Sequence, residues 1–220
     1  MVITYYGLSC FKVQSGELTV TFDPPSRESD LRPPRFETHV ALSSHDHPAH
    51  NGLKELSSKK EGGPFLVSGP GEYEVEGLAI SGFGSFHDSE QGKKLGLNTI
   101  YKLRMENISL CHLGDLGEAK IEPETLEALG EIDVLFVPVG GKDVLDPEEA
   151  VKVINQLEPK IVIPMHFAMP QTPLKGARAE EFLKEFGEEK IKPEEKFTFK
   201  KKELEAESTK VVLLKPSIGI

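Results

Sequence analysis

The sequence predicts an α/β fold, and three features of its 220 residues support that prediction. Up to about residue 115 the chain contains short β-branched and aromatic runs separated by glycine-containing turns, which is typical of strands. Beyond that point strand-like runs alternate with helix-like segments. No internal repeat and no linker rich in Pro, Gly and Ser divides the chain, so residues 1–220 are expected to form one domain.

The strands of the first half are predicted from short apolar runs in chain order. The apolar run THVALSS, residues 38–44, leads directly into three histidines, so a buried strand is expected to end there. A hairpin is predicted with its turn at Glu106-Asn107, and it places His112 and Asp115 at its exit. The predicted strand regions are residues 2–7, 10–14, 18–22, 38–44, 65–87 (two or three strands) and 98–115.

Helices alternate with strands in the second half. The clearest helix spans residues 145–159, where Asp146 is the expected cap, Pro147 opens the first turn and Glu149 completes a capping box. The closing segment, residues 197–216, suggests a pair of strands. The other predicted elements are helices at residues 121–130 and 176–187 and buried strands at residues 131–141 and 160–167.

Composition excludes several classes of function. The net charge of −10 and the pI near 5.3 argue against a broad surface for nucleic acid or anionic membrane. No apolar run approaches the roughly 20 residues of a membrane span, and no signal peptide is visible. The two cysteines are too few for a disulfide framework. A cytoplasmic protein acting on a small molecule is expected, with its oligomeric state left open.

Six potential metal ligands each follow a predicted strand. Strand ends converge at one rim of a sheet, so residues distant in sequence can meet there. Imidazole nitrogens combined with a carboxylate suit zinc, manganese or iron, and three protein ligands plus water is the arrangement of catalytic zinc. The six residues are His45, His47, His50, His87, Asp115 and His166.

Several motifs together resemble the metallo-β-lactamase-fold hydrolases, in particular their small cytoplasmic branch that includes the ascorbate-phosphate lactonase-like proteins. The resemblance covers about residues 1–170. It implies a four-layer αββα sandwich of two mixed β-sheets, with helices outside and metals at one edge. The motifs are TFDPP with Asp23, SHDHPAH from residue 44 to 50, SFHD with His87, HLGD with Asp115, PMHF with His166, and the stretches GPGEYEVEG and GLNTIY.

The resemblance also implies roles for individual residues. It assigns His45, His47 and His87 to a first metal. A second metal is held by His50 and His166, with Asp115 bridging the two, and this makes Asp115 and His50 the candidate catalytic residues.

Other polar residues are expected to support these ligands. Asp23 is expected to lie behind the metals and orient a histidine, and His112 to give polar support. Asp46 is expected to project away from the metals or to orient a ligand. Asp88 is expected either to accept the ring proton of His87 or to be a solvated loop residue.

Ala49 is the departure from the family pattern. The motif H-x-H-x-D-H has an aspartate at this position, where it binds the second metal and handles the proton of the attacking water. Alanine can do neither, so one or two ions are both considered.

The sequence therefore predicts a metal-dependent hydrolase that activates a metal-bound water and cleaves a small phosphoester, phosphodiester or lactone. The alternative is a degenerate member that binds one ion or a phosphorylated metabolite with little or no turnover. A nuclease is disfavoured because the acidic chain shows no basic arm.

Overall fold

Two mixed β-sheets form the centre of the molecule. A computed structural model describes residues 1–170, 172, 174–188, 190–204 and 208–217. In this part of the chain, six strands form the first sheet, in the order β12–β1–β2–β3–β4–β5. Pairing is parallel for β3–β4 and β4–β5 and antiparallel elsewhere. These strands are β1 (Val2–Tyr5), β2 (Phe11–Ser15), β3 (Leu18–Phe22), β4 (Val40–Ser43), β5 (Phe65–Ser68) and β12 (Phe197–Thr198).

The second sheet contains seven strands of the described residues, in the order β13–β11–β10–β9–β8–β7–β6. Its half from β9 to β13 is parallel, and its half from β6 to β9 is antiparallel. The strands are β6 (Gly71–Val75), β7 (Leu78–Phe86), β8 (Leu97–Met105), β9 (Ile108–His112), β10 (Val134–Pro138), β11 (Ile161–Met165) and β13 (Lys210–Val211).

The three α-helices of the described chain follow strands of the parallel half. α1 (Pro123–Leu129) connects β9 to β10, α2 (Pro147–Leu157) connects β10 to β11, and α3 (Ala179–Phe186) follows β11. The predicted capping box of α2 is present, because Glu149 N–H donates to Asp146 Oδ1 over 2.8 Å and Asp146 N–H donates to Glu149 Oε2 over 3.0 Å. The crossover from β4 to β5 carries a short 3₁₀ turn, Gly52–Glu55.

The core lies between the two sheets. Phe11 of β2 and Phe136 of β10 have ring centroids 4.5 Å apart, and Phe22 of β3 lies 5.8 Å from the same Phe136 ring. The Tyr101 hydroxyl of β8 donates to the Ser43 carbonyl of β4 over 2.9 Å. Burial of these large apolar side chains fixes the sheets face to face, so their strand ends share one rim.

The predicted elements occur in the predicted order, and the fold is the predicted α/β sandwich of two mixed sheets. The predicted turn at Glu106-Asn107 joins β8 to β9, and both residues have positive φ, as a two-residue hairpin turn requires. The predicted closing strand pair is wrong. The two strands do not pair with each other but join different sheets. β12 pairs with the edge strand β1 of the first sheet, and β13 pairs with the edge strand β11 of the second sheet.

Among the described residues, no helix has the length and apolar character needed to cross a bilayer.

Candidate metal centre

The structure brings the strand-end residues of both sheets together. His45 lies two residues beyond β4 of the first sheet. His87 and His166 directly follow β7 and β11 of the second sheet, and Asp115 lies three residues beyond β9. These side chains lie at the floor of a cavity of about 520 Å³, which His47 and His50 also line. The cavity is large enough for a small substrate.

Asp115 is at the centre of this cluster. Its Oδ2 atom lies 3.1 Å from His166 Nε2, 3.3 Å from His50 Nε2 and 3.4 Å from His87 Nε2. His45 Nε2 is 3.9 Å from the same oxygen. Two ligands bonded to one zinc ion in a tetrahedral shell lie roughly 3.4 Å apart. The spacing of these donor atoms therefore matches that of ligands that share an ion.

Buried partners fix the Asp115 carboxylate. The Ser9 hydroxyl donates to Asp115 Oδ1 over 2.8 Å. The backbone N–H of Asp115 donates to Asn98 Oδ1 over 3.0 Å. Burial alone would raise the pKa of Asp115, but the imidazoles of His166 and His50 hold that pKa well below its ordinary value. Asp115 is therefore an anion at neutral pH, with Oδ1 occupied by Ser9 and Oδ2 directed at the histidines.

A hydrogen-bond chain from Asp23 sets the protonation of His45. The Ser44 hydroxyl donates to Asp23 Oδ2 over 2.7 Å and lies 3.0 Å from His45 Nδ1. Since its only proton goes to the carboxylate, Ser44 accepts a hydrogen bond from His45 Nδ1–H. Burial lowers the pKa of His45 to about 4, so the ring is neutral at pH 7 with its lone pair on Nε2.

The residues present fit a metal ion. His45 Nε2 is buried, carries the lone pair and has no hydrogen-bond partner among the described residues. Burying a nitrogen lone pair without a partner costs free energy. A cation beside Asp115 Oδ2 would accept this lone pair and remove the cost. Ser44 and Asp23 supply the second-layer support that metal-binding histidines normally have.

Three overlapping groups of donor atoms occur in the described chain, with the atoms of each group within 4.8 Å of one another. The set predicted for the second metal forms one group. The set predicted for the first metal, His45, His47 and His87, is divided between the other two, which share His45. The groups are His50 with Asp115 and His166, His45 with His87 and Asp115, and His45 with His47 and His50. Which atoms bind an ion stays a prediction.

Asp23 and His112 both lie behind the cluster. Asp23 Oδ2 is 3.6 Å from His50 Nδ1, so this carboxylate faces His50 as well as Ser44. His112 is fully buried and stacks on Phe22, with ring centroids 4.9 Å apart. Its Nδ1 accepts from Gly114 N–H, so Nε2–H donates to the Ser9 carbonyl over 2.9 Å. His112 thus positions the backbone of Ser9, and the Ser9 hydroxyl in turn positions the Asp115 carboxylate.

Asp46 and Asp88, also considered as supports for the ligands, bind parts of the surrounding loops instead. Asp46 is exposed, and its Oδ1 accepts a hydrogen bond from Asn51 Nδ2 over 2.6 Å, so its carboxylate engages the neighbouring loop. Neither expectation for Asp88 is right. Asp88 is only 8% exposed, and its carboxylate accepts backbone N–H groups of its own loop, because that loop folds back around it.

Local backbone strain is concentrated at this rim. Asp23 and His166, each directly after a strand, have φ values of 44° and 53°. Such left-handed conformations are unfavourable for residues other than glycine, and they persist where surrounding contacts hold them. His166 N–H donates to the Leu8 carbonyl over 2.9 Å. Behind it, a Cβ on Gly140 would lie 2.0 Å from the His166 carbonyl oxygen, so only glycine allows this approach.

Three supporting residues, Ser9, Ser44 and Asn98, are not predicted from the sequence. Ser44 directly precedes His45, and this adjacency was the available signal. Ser9 is 106 residues from Asp115 in sequence, so no local pattern could link them. Asn98 anchors the loop of Asp115, with its Nδ2 donating to the Leu113 carbonyl over 2.8 Å.

We expect Ser9→Ala to weaken zinc binding by about 10-fold to 100-fold, as loss of an outer partner of a metal ligand commonly does. The substitution leaves Asp115 Oδ1 without its buried donor, so the carboxylate loses its fixed orientation. Competition for zinc against a chromophoric chelator measures the change.

The matched control for Ser9→Ala is Ser109→Ala. The buried Ser109 hydroxyl, on β9, has no hydrogen-bond partner in the described part of the chain. This variant should bind zinc as the unaltered protein does. Equal zinc affinity for both variants would show that Ser9 is unimportant to Asp115.

The sandwich of two mixed sheets, with a His/Asp cluster where the strands end, defines a protein of the metallo-β-lactamase fold. Residues 2–166 match the family model described as the β-lactamase superfamily domain. Since the match covers well over half of the chain, the protein belongs to this family.

Similar proteins extend over most of the chain. A protein of Thermococcus onnurineus named a metal-dependent hydrolase is 26% identical over 209 residues, which cover 84% of this chain and 92% of that protein. A solved structure from Thermotoga maritima, described as a candidate Zn-dependent hydrolase of the metallo-β-lactamase superfamily, has 31% identity, covers 97% of both chains and gives a TM-score of 0.77. A metallo hydrolase of Ignicoccus hospitalis, at 22% identity and a TM-score of 0.64, covers 90% of this chain and 99% of that one and is alike in fold.

Proposed function

We propose that this protein is a metal-dependent hydrolase of small esters, a phosphoester, phosphodiester or lactone. The observation that supports this most strongly is the arrangement of four imidazole Nε2 atoms within 3.9 Å of Asp115 Oδ2 at the floor of an open cavity. Family membership and the names of the relatives support the metal-dependent hydrolase in this proposal.

Zinc is the proposed ion, with manganese or iron as alternatives, because imidazole and carboxylate donors serve all three. A bound divalent cation would lower the pKa of water towards about 7 and polarise the carbonyl or phosphoryl oxygen of the ester. The residues proposed to hold one or two ions are His45, His47, His50, His87, Asp115 and His166.

The protein's own groups prepare the site before substrate arrives. Asp115 supplies a fixed negative charge, since Ser9 holds its other oxygen. His45 presents the unprotonated Nε2 because its Nδ1–H donates to Ser44, whose hydroxyl donates to Asp23. Burial of these groups in a site of low dielectric strengthens each charge interaction made with a substrate.

Ala49 favours a second candidate function, the binding of one ion or a phosphorylated metabolite without turnover. Its side chain lines the cavity at the motif position of the missing aspartate but offers no donor atom. The site therefore has one carboxylate fewer than the family pattern.

Two measurements together test the proposal. Elemental analysis should give at least one zinc per chain, and phosphodiester, phosphomonoester, lactone and thioester probes should include one that is turned over with added zinc or manganese. Bound metal without turnover of any probe would support the binding function instead. Absence of bound metal would contradict both the hydrolase and the binding of an ion.

The acidic composition supports a small-molecule substrate, and the two free cysteines support a cytoplasmic location, as further parts of this proposal. At a net charge of −10, a nucleic-acid or anionic-membrane partner is not expected.

A further inference from the structure

The cavity above the metal centre has an apolar wall built from five separate loops. Two of its members, Leu8 and Leu31, are buried, and the others are at least partly exposed to the cavity or to solvent. A substrate whose reacting group lies at Asp115 would therefore contact apolar side chains. The five residues are Leu8, Leu31, Pro48, Leu95 and Leu174.

The loop after His87 holds Leu95 at this wall. Asp88 Oδ1 accepts the N–H groups of Glu90 and Gly92 over 2.8 and 2.9 Å. Its Oδ2 accepts those of Lys94 and Leu95 over 3.0 and 2.7 Å. These four hydrogen bonds hold the loop from Glu90 to Leu95 around the Asp88 carboxylate.

Leu95 is thus presented to the cavity rather than left on a loose loop. Leu95 is 45% exposed, and its loop cannot move away from the cavity without breaking hydrogen bonds to Asp88. Since Leu95 also lines the cavity, a substrate bound there would contact this side chain.

The charges around the cavity disfavour an anionic substrate. Apart from Asp115, the charged residues that line it are four acids and two lysines, and Lys142 Nζ lies 3.5 Å from Asp143 Oδ2. Sites for phosphoryl transfer usually place cationic groups around the phosphate oxygens. A bound cation would add its own positive charge, but the side chains around it form a net negative rim with no excess of cationic groups for a phosphate, and this favours an uncharged substrate. The six residues are Glu28, Asp30, Asp46, Asp143, Lys142 and Lys175.

We propose that the substrate is an uncharged carboxylic ester or lactone with an alkyl chain, and that Leu95 determines specificity by contacting this chain. The inference rests on the proposed hydrolase function and selects among its ester classes. In the reaction, a water oxygen bonds to the carbonyl carbon and the bond from that carbon to the ester oxygen breaks. The ester oxygen takes one proton, and the products are a carboxylic acid and an alcohol.

Turnover by the zinc-loaded protein gives the first test, with p-nitrophenyl acetate, hexanoate and phosphate as probes. We expect kcat/KM to be about tenfold or more higher for the hexanoate than for the acetate, since methylene groups in an apolar pocket have effects of this size. Turnover of the phosphate should be the slowest. Leu95→Ala should remove most of the preference for the hexanoate.

Leu97→Ala is the matched control. Leu97 is two residues further along and 72% exposed, and it is not among the residues that line the cavity. This variant should keep the full chain-length preference. Faster turnover of the phosphate than of either acyl ester, or the same preference in Leu95→Ala as in the unaltered protein, would overturn the inference.

A binding measurement separates this inference from the proposed function. Calorimetry with acetohydroxamate and hexanohydroxamate, which chelate zinc, reports the chain-length preference without turnover. If no ester is hydrolysed but hexanohydroxamate binds about tenfold more tightly and Leu95→Ala removes the difference, the hydrolase proposal fails and the apolar specificity stands. Equal binding of the two, or binding of neither, overturns the inference.

Discussion

Asp115→Asn is expected to lower zinc affinity by at least about 100-fold, more than the loss of an outer partner, and to abolish ester hydrolysis. The carboxylate Oδ2 of Asp115 lies 3.1 to 3.9 Å from four imidazole Nε2 atoms, those of His45, His50, His87 and His166. A neutral amide keeps the shape of the side chain but removes the charge that draws a cation to this point. Zinc competition against a chelator and a hydrolysis assay measure the two effects.

The histidines of the metal-free protein supply an independent measure of the same change. Burial by itself would lower the pKa of His50 and His87, and Asp115 contributes to the net upward shift of both. In Asp115→Asn both pKa values should therefore fall, which NMR titration of the imidazole rings detects.

Asp143→Asn is the matched control for Asp115→Asn. Asp143 lines the same cavity, but its carboxylate faces Lys142 at 3.5 Å and is in none of the three donor groups of the described chain. Zinc binding should be unchanged in this variant. If Asp115→Asn also binds zinc normally, Asp115 is not a ligand.

Ala49→Asp is expected to strengthen the binding of a second zinc ion, so that the protein holds two ions per chain, and to increase ester hydrolysis. Position 49 lies beside His50 and lines the cavity, so a carboxylate there adds a charged oxygen donor to the group of His50, Asp115 and His166. Each added anionic ligand strengthens the binding of a divalent cation, and we expect the second ion to bind about tenfold or more tightly. Elemental analysis at limiting zinc gives the stoichiometry.

The control for Ala49→Asp is Ala49→Asn, which adds a side chain of the same size without its charge. It should leave the zinc stoichiometry as it is in the unaltered protein. If Ala49→Asp changes neither zinc content nor turnover, position 49 does not face the second ion, and the low carboxylate count is not what limits this site.

The positions of the donor residues could be predicted because two regularities coincide in the sequence. Apolar runs identify buried strands, and His45, His87 and His166 each follow one directly or within two residues. Sheet geometry then gathers these ends at one rim. The same reasoning located the capping box of α2, since Asp146 and Glu149 are close in sequence and their spacing is the signal.

The supporting contacts could not be predicted because they depend on side chains that meet only in the folded chain. Ser9 and Asp115 come from different sheets, and a buried serine looks the same in sequence whether or not it contacts a carboxylate. The wrong assignment of β12 and β13 has a similar cause. Two-residue strands carry almost no periodicity, so their partners are decided by which sheet edge is open.

The most direct test of the whole account is anomalous diffraction at the zinc edge from crystals of the zinc-loaded protein. We predict a peak at bonding distance, about 2.0–2.2 Å, from His45 Nε2 and Asp115 Oδ2, with further imidazole nitrogens completing the shell. A peak elsewhere, or none at this cluster while the imidazoles keep their present positions, would contradict a metal centre at this rim.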